Sequence, residues 1–348
     1  MTDDSSPTSP LRLGFAVKVL GRADLKSNDA RRWRSGPHLR VSIGYPRAIF
    51  AYLDEVDIRM YRMSSDIAPY ITHPTLPRFH GQIRECADDL RDLGRLARDL
   101  RIRLSFHPSQ FVILNSPDPT LNDKGIADLV AQAEILDLME LGPEAVLVIH
   151  VGGTYGDRPA GRARWAATYR RLPEPARRRL VLENDDLRYS ASDVLSIHEE
   201  TGVPLIFDHQ HHLCLNPEGL DLAGAIARFV RTWPPGVRPK VHFSSPRTEF
   251  REITRKNRKT GKPETARLPP VWTGHAAFVQ PFEFLTFMRL AEGLEFDVML
   301  EAKAKDLALR RLRRDLPIFA PEVAARFGPP AERPDDSDPV EGVEDDGE

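Results

Sequence analysis

The sequence predicts an α/β protein built as a single (β/α)₈ barrel, the TIM-barrel class. Short β-rich runs alternate with longer helical stretches from Leu11 to about Arg314. Eight such runs are present, mostly with consecutive apolar residues, as expected of parallel strands buried on both faces. A doubly wound open sheet would show the same alternation. The barrel is favoured because several runs end in histidine or acidic residues, and a barrel brings all its strand ends to one face.

The elements follow one another along the chain at regular intervals. The eight predicted strands are residues 11–18, 57–63, 101–107, 145–151, 179–184, 204–211, 239–244 and 296–302. Apolar residues at helical spacing predict helices over residues 84–100, 121–141, 192–201, 220–230 and 282–293. Ser192 is the predicted N-cap of the third of these helices.

Charge divides the chain into unlike parts. The net charge is −2, but residues 329–348 carry −8, so the rest carries about +6. This acidic, Pro-rich segment is predicted to be a disordered tail, and residues 1–10 a disordered N-terminal tail. Residues 11–328 form the predicted barrel domain. Within it, residues 246–272 form a basic insertion, and the stretch from Arg247 to Arg267 carries +5.

Composition excludes several classes of protein. With 348 residues, 41 % hydrophobic and 29 % charged, the chain is an ordinary globular protein rather than a fibrous or wholly disordered one. No apolar run approaches the length of a membrane helix, and the polar start does not read as a signal peptide. Cys86 and Cys214 are too few for a disulfide framework. We therefore expect a cytoplasmic protein without a membrane partner.

Residues that bind divalent metals follow most of the predicted strands. A single histidine or carboxylate there is more often structural, but repetition across the fold weakens that interpretation, since buried charge is costly unless paired or metal-bound. The absence of cysteine argues against a purely structural zinc site. The eight candidate ligands are His107, His150, Glu183, Asp208, His211, His242, His275 and Glu301.

The number and type of these candidates predict the metal content. A catalytic metal commonly takes three protein ligands, so eight candidates indicate two or three ions with shared carboxylates. Histidine mixed with carboxylate suits Zn²⁺ or Mn²⁺ better than Mg²⁺. Adjacent metals stabilise phosphoryl displacement, and the body around them is basic. The sequence therefore predicts hydrolysis of phosphodiesters in nucleic acid.

The order of the motifs resembles one known family. The pattern, from about residue 11 to 312, is similar to the UV damage endonucleases, relatives of the endonuclease IV barrels. It consists of Arg12-Leu13-Gly14, Ser64-Ser65-Asp66 with Thr72-His73-Pro74, Ser105 to Phe111 (SFHPSQF), His150-Val151-Gly152-Gly153, Leu182-Glu183-Asn184-Asp185, Lys240-Val241-His242 and Val298 to Lys303 (VMLEAK).

The resemblance implies an enzyme that nicks duplex DNA immediately 5′ to a lesion, leaving a 3′-hydroxyl and a 5′-phosphate. Cyclobutane pyrimidine dimers and 6-4 photoproducts are the implied lesions, with abasic sites a further candidate. The eight residues above would hold up to three Mn²⁺ or Zn²⁺ ions, with Glu183 as the expected bridge and Glu183 and Glu301 as catalytic carboxylates. His73 matches a further site histidine, and Lys240 a lysine near the metals that is a candidate for carboxylation.

The resemblance also implies residues that contact the lesion. Gln110 and Phe111 match a pair inserted into the duplex at the damage, which suits an enzyme that extrudes bases. Core packing is the alternative for Phe111, and a surface position before a strand is the alternative for Lys240. Phe15 occupies the place of a tyrosine that probes the flipped nucleotides, so a hydroxyl contact would be missing.

Cations of the basic insertion are candidates for contact with phosphate. The alternative is a solvated loop that binds nothing. The residues predicted to contact the DNA backbone are Arg255, Lys256, Arg258 and Lys259.

Three other functions remain open from the sequence. The first is an apurinic-site endonuclease of the endonuclease IV type, with the same metals and another damage pocket. A metal-dependent sugar isomerase is disfavoured. Such enzymes bind their metals mainly through carboxylates, whereas the candidate site of this chain is rich in histidine and surrounded by positive charge. The last is a DNA-binding barrel with structural metals only. Damaged double-stranded DNA is the expected partner of a monomer without a nucleotide cofactor.

Overall fold

The computed structural model describes residues 9–257 and 260–328. Both predicted tails therefore lie largely outside the described residues. Ser9 and Pro10, at the end of the expected N-terminal tail, are attached to the body: their carbonyl oxygens accept hydrogen bonds of 2.8 and 2.9 Å from the Arg238 guanidinium.

Eight parallel strands form the barrel, and four more lie in the insertion between its seventh and eighth strands. In chain order the strands are β1 Leu13–Ala16, β2 Met60–Arg62, β3 Arg103–Phe106, β4 Val146–Ile149, β5 Leu180–Glu183, β6 Leu205–Ile206, β7 Lys240–Phe243, β8 Pro246–Arg247, β9 Arg251–Lys256, β10 Pro263–Leu268, β11 Val271–His275 and β12 Asp297–Leu300.

The barrel strands follow one another around a ring. The sheet order is β6-β5-β4-β3-β2-β1-β12-β7, with all neighbours parallel. The two edges meet where Asp208 bridges His242, and the His242 N–H donates to the Phe207 carbonyl at 2.8 Å. The predicted (β/α)₈ fold is confirmed. Each of the eight predicted strand ranges contains one barrel strand.

Helices cover the outside of the barrel. Those described are α1 Leu39–Glu55, α2 Gln82–Glu85, α3 Ala87–Asp99, α4 Pro119–Leu138, α5 Arg158–Arg171, α6 Glu174–Arg177, α7 Ala191–Thr201, α8 His209–Cys214, α9 Leu222–Val230, α10 Pro281–Leu290, α11 Lys305–Phe319 and α12 Pro321–Ala325. Across the described ranges, no helix combines the length and apolar character needed to cross a membrane.

Two predicted boundaries are wrong for local reasons. The sixth strand ends at Ile206, not at residue 211, because the Asp208 side chain caps a new helix by accepting from the His211 N–H at 2.8 Å. The cap of α7 is Ser190 rather than Ser192, since Ser190 and Asp193 form a reciprocal capping box.

Candidate metal centre

The carboxyl ends of the barrel strands bring the predicted ligands to one end of the barrel. Glu183 is the last residue of β5, while His107, His150 and Glu301 follow β3, β4 and β12 directly. His242 lies within β7. Asp208 and His211 come from the turn into α8, and His275 ends β11 at the close of the insertion. The active sites of such barrels form at this end.

Glu183 lies at the centre of these side chains and is fully buried. Its Oε2 is 3.1 Å from His107 Nε2 and 3.7 Å from His150 Nε2. Its Oε1 is 2.8 Å from His242 Nδ1 and 3.7 Å from His211 Nδ1. One carboxylate therefore faces four imidazoles, a position suited to a bridging ligand.

Glu301 is the second carboxylate contacted by more than one imidazole. His242 Nδ1 lies 3.3 Å from its Oε1, and His275 Nε2 lies 3.6 Å from its Oε2. The Arg62 guanidinium also pairs with Glu301 Oε1. Sequence reasoning missed Arg62, although it is the last residue of β2 and so shares the strand-end position of the other site residues.

Contacts behind the imidazoles fix how three of them are oriented. The Nδ1 atom of His107 lies 3.1 Å from the Pro108 carbonyl, and that of His211 lies 2.9 Å from the Asn184 carbonyl. His275 Nδ1 lies 2.6 Å from Ser244 Oγ, whose hydroxyl donates to Gln210 Oε1 at 2.6 Å. A carbonyl only accepts, so Nδ1 carries the proton in His107 and His211. Nε2 is therefore the ring nitrogen available to a metal ion, which it binds in its unprotonated form.

The donor atoms are close enough together to hold metal ions. His107, His150 and Glu183 form one group, and Glu183, Asp208, His242 and Glu301 form another, with ligand atoms all within 4.8 Å inside each group. Glu183 belongs to both. Asp208 Oδ2 is buried without a hydrogen-bond partner, which is costly for a carboxylate unless a cation binds it. The residues therefore fit a pair of divalent ions that share Glu183.

Crowding of the carboxylates shifts their pKa values apart. Burial raises the pKa of Asp208 to about 7, and the nearby Glu183 and Glu301 carboxylates add to the rise. Burial would also raise the pKa of Glu183, but the surrounding histidines hold it well below its usual range. Burial alone would lower the pKa of His211; the Asp208, Glu183 and Glu301 carboxylates raise it to about 9. A divalent cation bound here would favour the ionised form of each carboxylate.

Lys240 lies inside the barrel beneath these groups. Only 1 % of the residue is exposed, and its Nζ donates to Ser105 Oγ at 3.1 Å. A surface lysine is therefore excluded. Burial, together with the nearby Arg103 and Arg62 cations, lowers the pKa of Lys240 well below its usual range.

The predicted lesion contacts are placed very differently from one another. Gln110 and Phe111 are both exposed on the loop between β3 and α4, and the 81 % exposure of Phe111 excludes the core-packing alternative. Phe15, in contrast, is fully buried on β1, with its ring centroid 5.5 Å from that of Tyr61. No surface of its ring is accessible in this structure, and its contact with the lesion stays a prediction.

His73 is not brought to either group of ligands. Its side chain is exposed on the loop between β2 and α2, where it lines a cavity of about 590 Å³ together with Asp66 and Asp128. His73 lies on the loop after β2 rather than at the end of the strand, so it does not join the ligands that cluster at the strand ends.

The basic insertion folds as an antiparallel hairpin on a two-stranded base. Strands β9 and β10 pair from Arg251 with Leu268 to Lys256 with Pro263. Arg255 and Lys256 are exposed at the far end of β9, and Arg258 and Lys259 lie outside the described residues. The insertion leaves the carboxyl end of β7 and returns at His275. Its base therefore lies at the same end of the barrel as the ligands.

Comparison with known proteins identifies the family. The profile of the UV-endonuclease UvdE family matches residues 45–325. The UV DNA damage endonuclease of Bacillus velezensis is 34 % identical over 264 residues, which cover 74 % of this chain and 75 % of that protein. That of Bacillus cereus strain G9842 is 32 % identical over 285 residues, covering 80 % and 81 %.

A solved structure has the same architecture. The crystal structure of SacUVDE superposes with a TM-score of 0.73 at 28 % identity, covering 88 % of this chain and 98 % of that one. The resemblance inferred from the motifs is confirmed by all three comparisons. The chain belongs to the UV-endonuclease UvdE family.

Proposed function

We propose that this protein is a metal-dependent endonuclease that incises duplex DNA immediately 5′ to UV lesions. Cyclobutane pyrimidine dimers and 6-4 photoproducts are the proposed substrates, abasic sites a further one, and a 3′-hydroxyl and a 5′-phosphate the products. The observation that carries the proposal is the position of Glu183, buried among four imidazoles at the end of the barrel where active sites form. Family membership supports the choice of substrate.

The eight clustered side chains would hold two or three Mn²⁺ or Zn²⁺ ions, with Glu183 shared between them. Bound there, such ions would lower the pKa of a water nucleophile and stabilise charge on the transferring phosphoryl group. Glu301 is held in place by the Arg62 guanidinium, so its carboxylate is already oriented in the protein. His107 and His211 are oriented by backbone carbonyls in the same way.

Lys240 extends the proposal to a modified lysine. Its lowered pKa leaves an uncharged amine, the form that adds to carbon dioxide to give a carbamate and a released proton. The new carboxylate would lie beside Ser105 at the floor of the site, where Lys240 Nζ now donates its hydrogen bond. This matches the role implied for Lys240 by its motif.

Recognition of damage is proposed to use the loop that carries Gln110 and Phe111. Both side chains are exposed only three and four residues after His107, a ligand of the site. An aromatic ring can fill the space left by an extruded base, while an amide can replace the lost base contacts. A lesion is already poorly stacked, so its extrusion costs less than that of an intact pair.

Replacing four of the eight cations of the insertion by serine should weaken binding to damaged and undamaged DNA about equally. Each phosphate contact adds roughly 0.9 to the slope of log affinity against log salt, so losing Arg255, Lys256, Arg258 and Lys259 should flatten it by about two to four units. Binding measured across a salt titration checks this, with Arg91→Ser/Arg95→Ser on the outer helix α3 as the control. An unchanged slope would mean that the insertion faces solvent only.

Incision of end-labelled duplexes tests the proposed function. Four substrates are compared: a single dimer, a single 6-4 photoproduct, a single abasic site and an undamaged sequence. We expect a cut at the phosphodiester 5′ to each photoproduct, with a 3′ end that a polymerase extends. Incision of the abasic duplex alone would instead assign the chain an activity of the endonuclease IV type, and incision of none would contradict the proposal.

A further inference from the structure

The insertion presents a tryptophan that its surroundings do not bury. The Trp272 side chain lies on β11 and is 73 % exposed. Exposing so large an apolar ring forfeits the free energy of its burial, and such rings commonly mark interaction sites. The insertion around it is strongly basic, with +5 from Arg247 to Arg267. An exposed aromatic ring on a basic segment is typical of surfaces that bind single-stranded or unstacked nucleic acid.

A bulge in β11 determines where Trp272 lies. Val271 pairs with Arg247 and His275 pairs with Pro246, so residues 272–274 bulge out between two consecutive positions of β8. Bulges next to active sites re-aim side chains away from the regular alternation of a strand. Trp272 is therefore placed by a specific irregularity that ends at His275, a candidate metal ligand.

One buried side chain ties this bulge to the metal centre. The Gln210 amide donates to the carbonyl oxygens of Trp272 and Gly274 at 2.8 and 3.1 Å. Its Oε1 accepts from Ser244 and lies 3.3 Å from His275 Nδ1. Gln210 is almost fully buried, so this connection is dry. The backbone beneath the ring is thus fixed, and little conformational entropy would be lost on stacking.

The barrel topology places Trp272 across the site from Phe111. Counting around the ring, β3 is the third barrel strand and β7 the seventh of eight, so their loops leave opposite sides of the mouth. Phe111 follows β3 and Trp272 follows β7, with the clustered ligands between them. DNA crossing the metal centre would meet an exposed aromatic ring on each side.

We propose that Trp272 stacks on a nucleobase unstacked at the lesion, as a second aromatic contact opposite Phe111. This inference rests on the proposed function, since its ligand is damaged DNA. It assigns the insertion a part in recognising damage, in addition to the contacts of its cations with phosphate.

Fluorescence and binding test this assignment together. In a Trp33→Phe background the exposed tryptophan is Trp272, because Trp165 and Trp233 are buried. Titration with a short duplex carrying one thymine dimer should quench its emission, and the quenching should vanish in Trp272→Phe. Trp272→Ala should weaken binding to that duplex by about 5- to 100-fold, with a smaller effect on the undamaged duplex. Gln210 contacts the backbone carbonyl of Trp272, which the substitution keeps, so the link to the metal centre should remain. We therefore expect KM to rise more than kcat falls.

Phe250→Ala is the matched control. Phe250 is another exposed aromatic residue of the insertion, but the Arg267 guanidinium lies 4.3 Å from its ring centroid and occupies one of its two faces. We expect its affinity to stay within about twofold of wild type. The inference would be overturned by an absence of quenching, or by equal losses of affinity for both duplexes in Trp272→Ala. Incision by the wild-type protein would then still support the proposed function. A wild-type protein that binds neither duplex would overturn both.

Discussion

Glu183→Gln should lower incision at a UV lesion by about a thousandfold or more. This side chain belongs to both groups of donor atoms and contacts four imidazoles, so an amide there removes the charge shared by the whole cluster. Charge stabilisation at such centres is worth several kcal/mol in the transition state, and each 1.36 kcal/mol changes the rate about tenfold. Glu301→Gln should have an effect of similar size, because His242 and His275 both approach that carboxylate. Single-turnover incision of a dimer-containing duplex measures both.

A matched carboxylate at the other end of the barrel controls for a general loss of charge. Glu144 precedes β4 and pairs with Arg12, so Glu144→Gln should keep near-normal incision. Circular dichroism and DNA binding should show that Glu183→Gln remains folded and still binds damaged duplex. Near-normal incision by both Glu183→Gln and Glu301→Gln would contradict the assignment of this cluster as the active site.

The double variant Gln110→Ala/Phe111→Ala should lose most of the preference for damaged over undamaged duplex. Insertion at a lesion exploits an extrusion cost that differs by a few kcal/mol between damaged and intact pairs, equivalent to a preference of about ten- to a hundredfold. Both side chains are exposed and neither contributes to the core. Binding constants for the two duplexes, measured at one salt concentration, give the preference directly.

Ile318→Ala provides the comparison for this double variant. Ile318 is 70 % exposed near the end of α11, away from the mouth of the barrel where that helix begins. Its loss should leave the preference for damage unchanged. If the double variant also kept its full preference, Gln110 and Phe111 would be ordinary surface residues.

The strands could be predicted from the sequence because a parallel barrel buries both faces of each strand. Runs such as Val146–Ile149 and Leu180–Glu183 are buried throughout, so they appear in the sequence as continuous apolar segments. A side chain that ends such a run must lie at the barrel mouth. That geometric rule predicts that His107, His150 and Glu183 lie together.

Helices with weak patterns could not be predicted in this way. The outer helix α1 contains Pro46, which normally interrupts a helix, and α5 is rich in arginine on a thin apolar face. Tertiary packing against the barrel stabilises both despite their sequences. The same limit applies to α8, where the capping carboxylate of Asp208 begins a helix within the range predicted as the sixth strand.

Residues that affect the site only through contact with another residue could not be predicted either. Arg62 becomes part of the site only because β2 lies next to β1, and β1 next to β12, so that its side chain reaches Glu301 at the end of β12. Gln210 matters because it joins two distant segments, Ser244 and the bulge at Trp272. Phe15 shows that a motif does not reveal burial: the barrel interior encloses its ring. Burial and pairing depend on the closed fold rather than on local sequence.

The most direct test of the metal centre is incision by protein stripped of metal. An end-labelled, UV-irradiated duplex is incubated with chelator-treated protein before and after Mn²⁺ is returned, with folding checked by circular dichroism. Six clustered ligands that share Glu183, with His211 and His275 beside their carboxylates, predict no incision by the folded, stripped protein and recovery of the wild-type rate with Mn²⁺. Wild-type incision by stripped protein in the presence of chelator would contradict the assignment of this cluster as a metal-dependent active site.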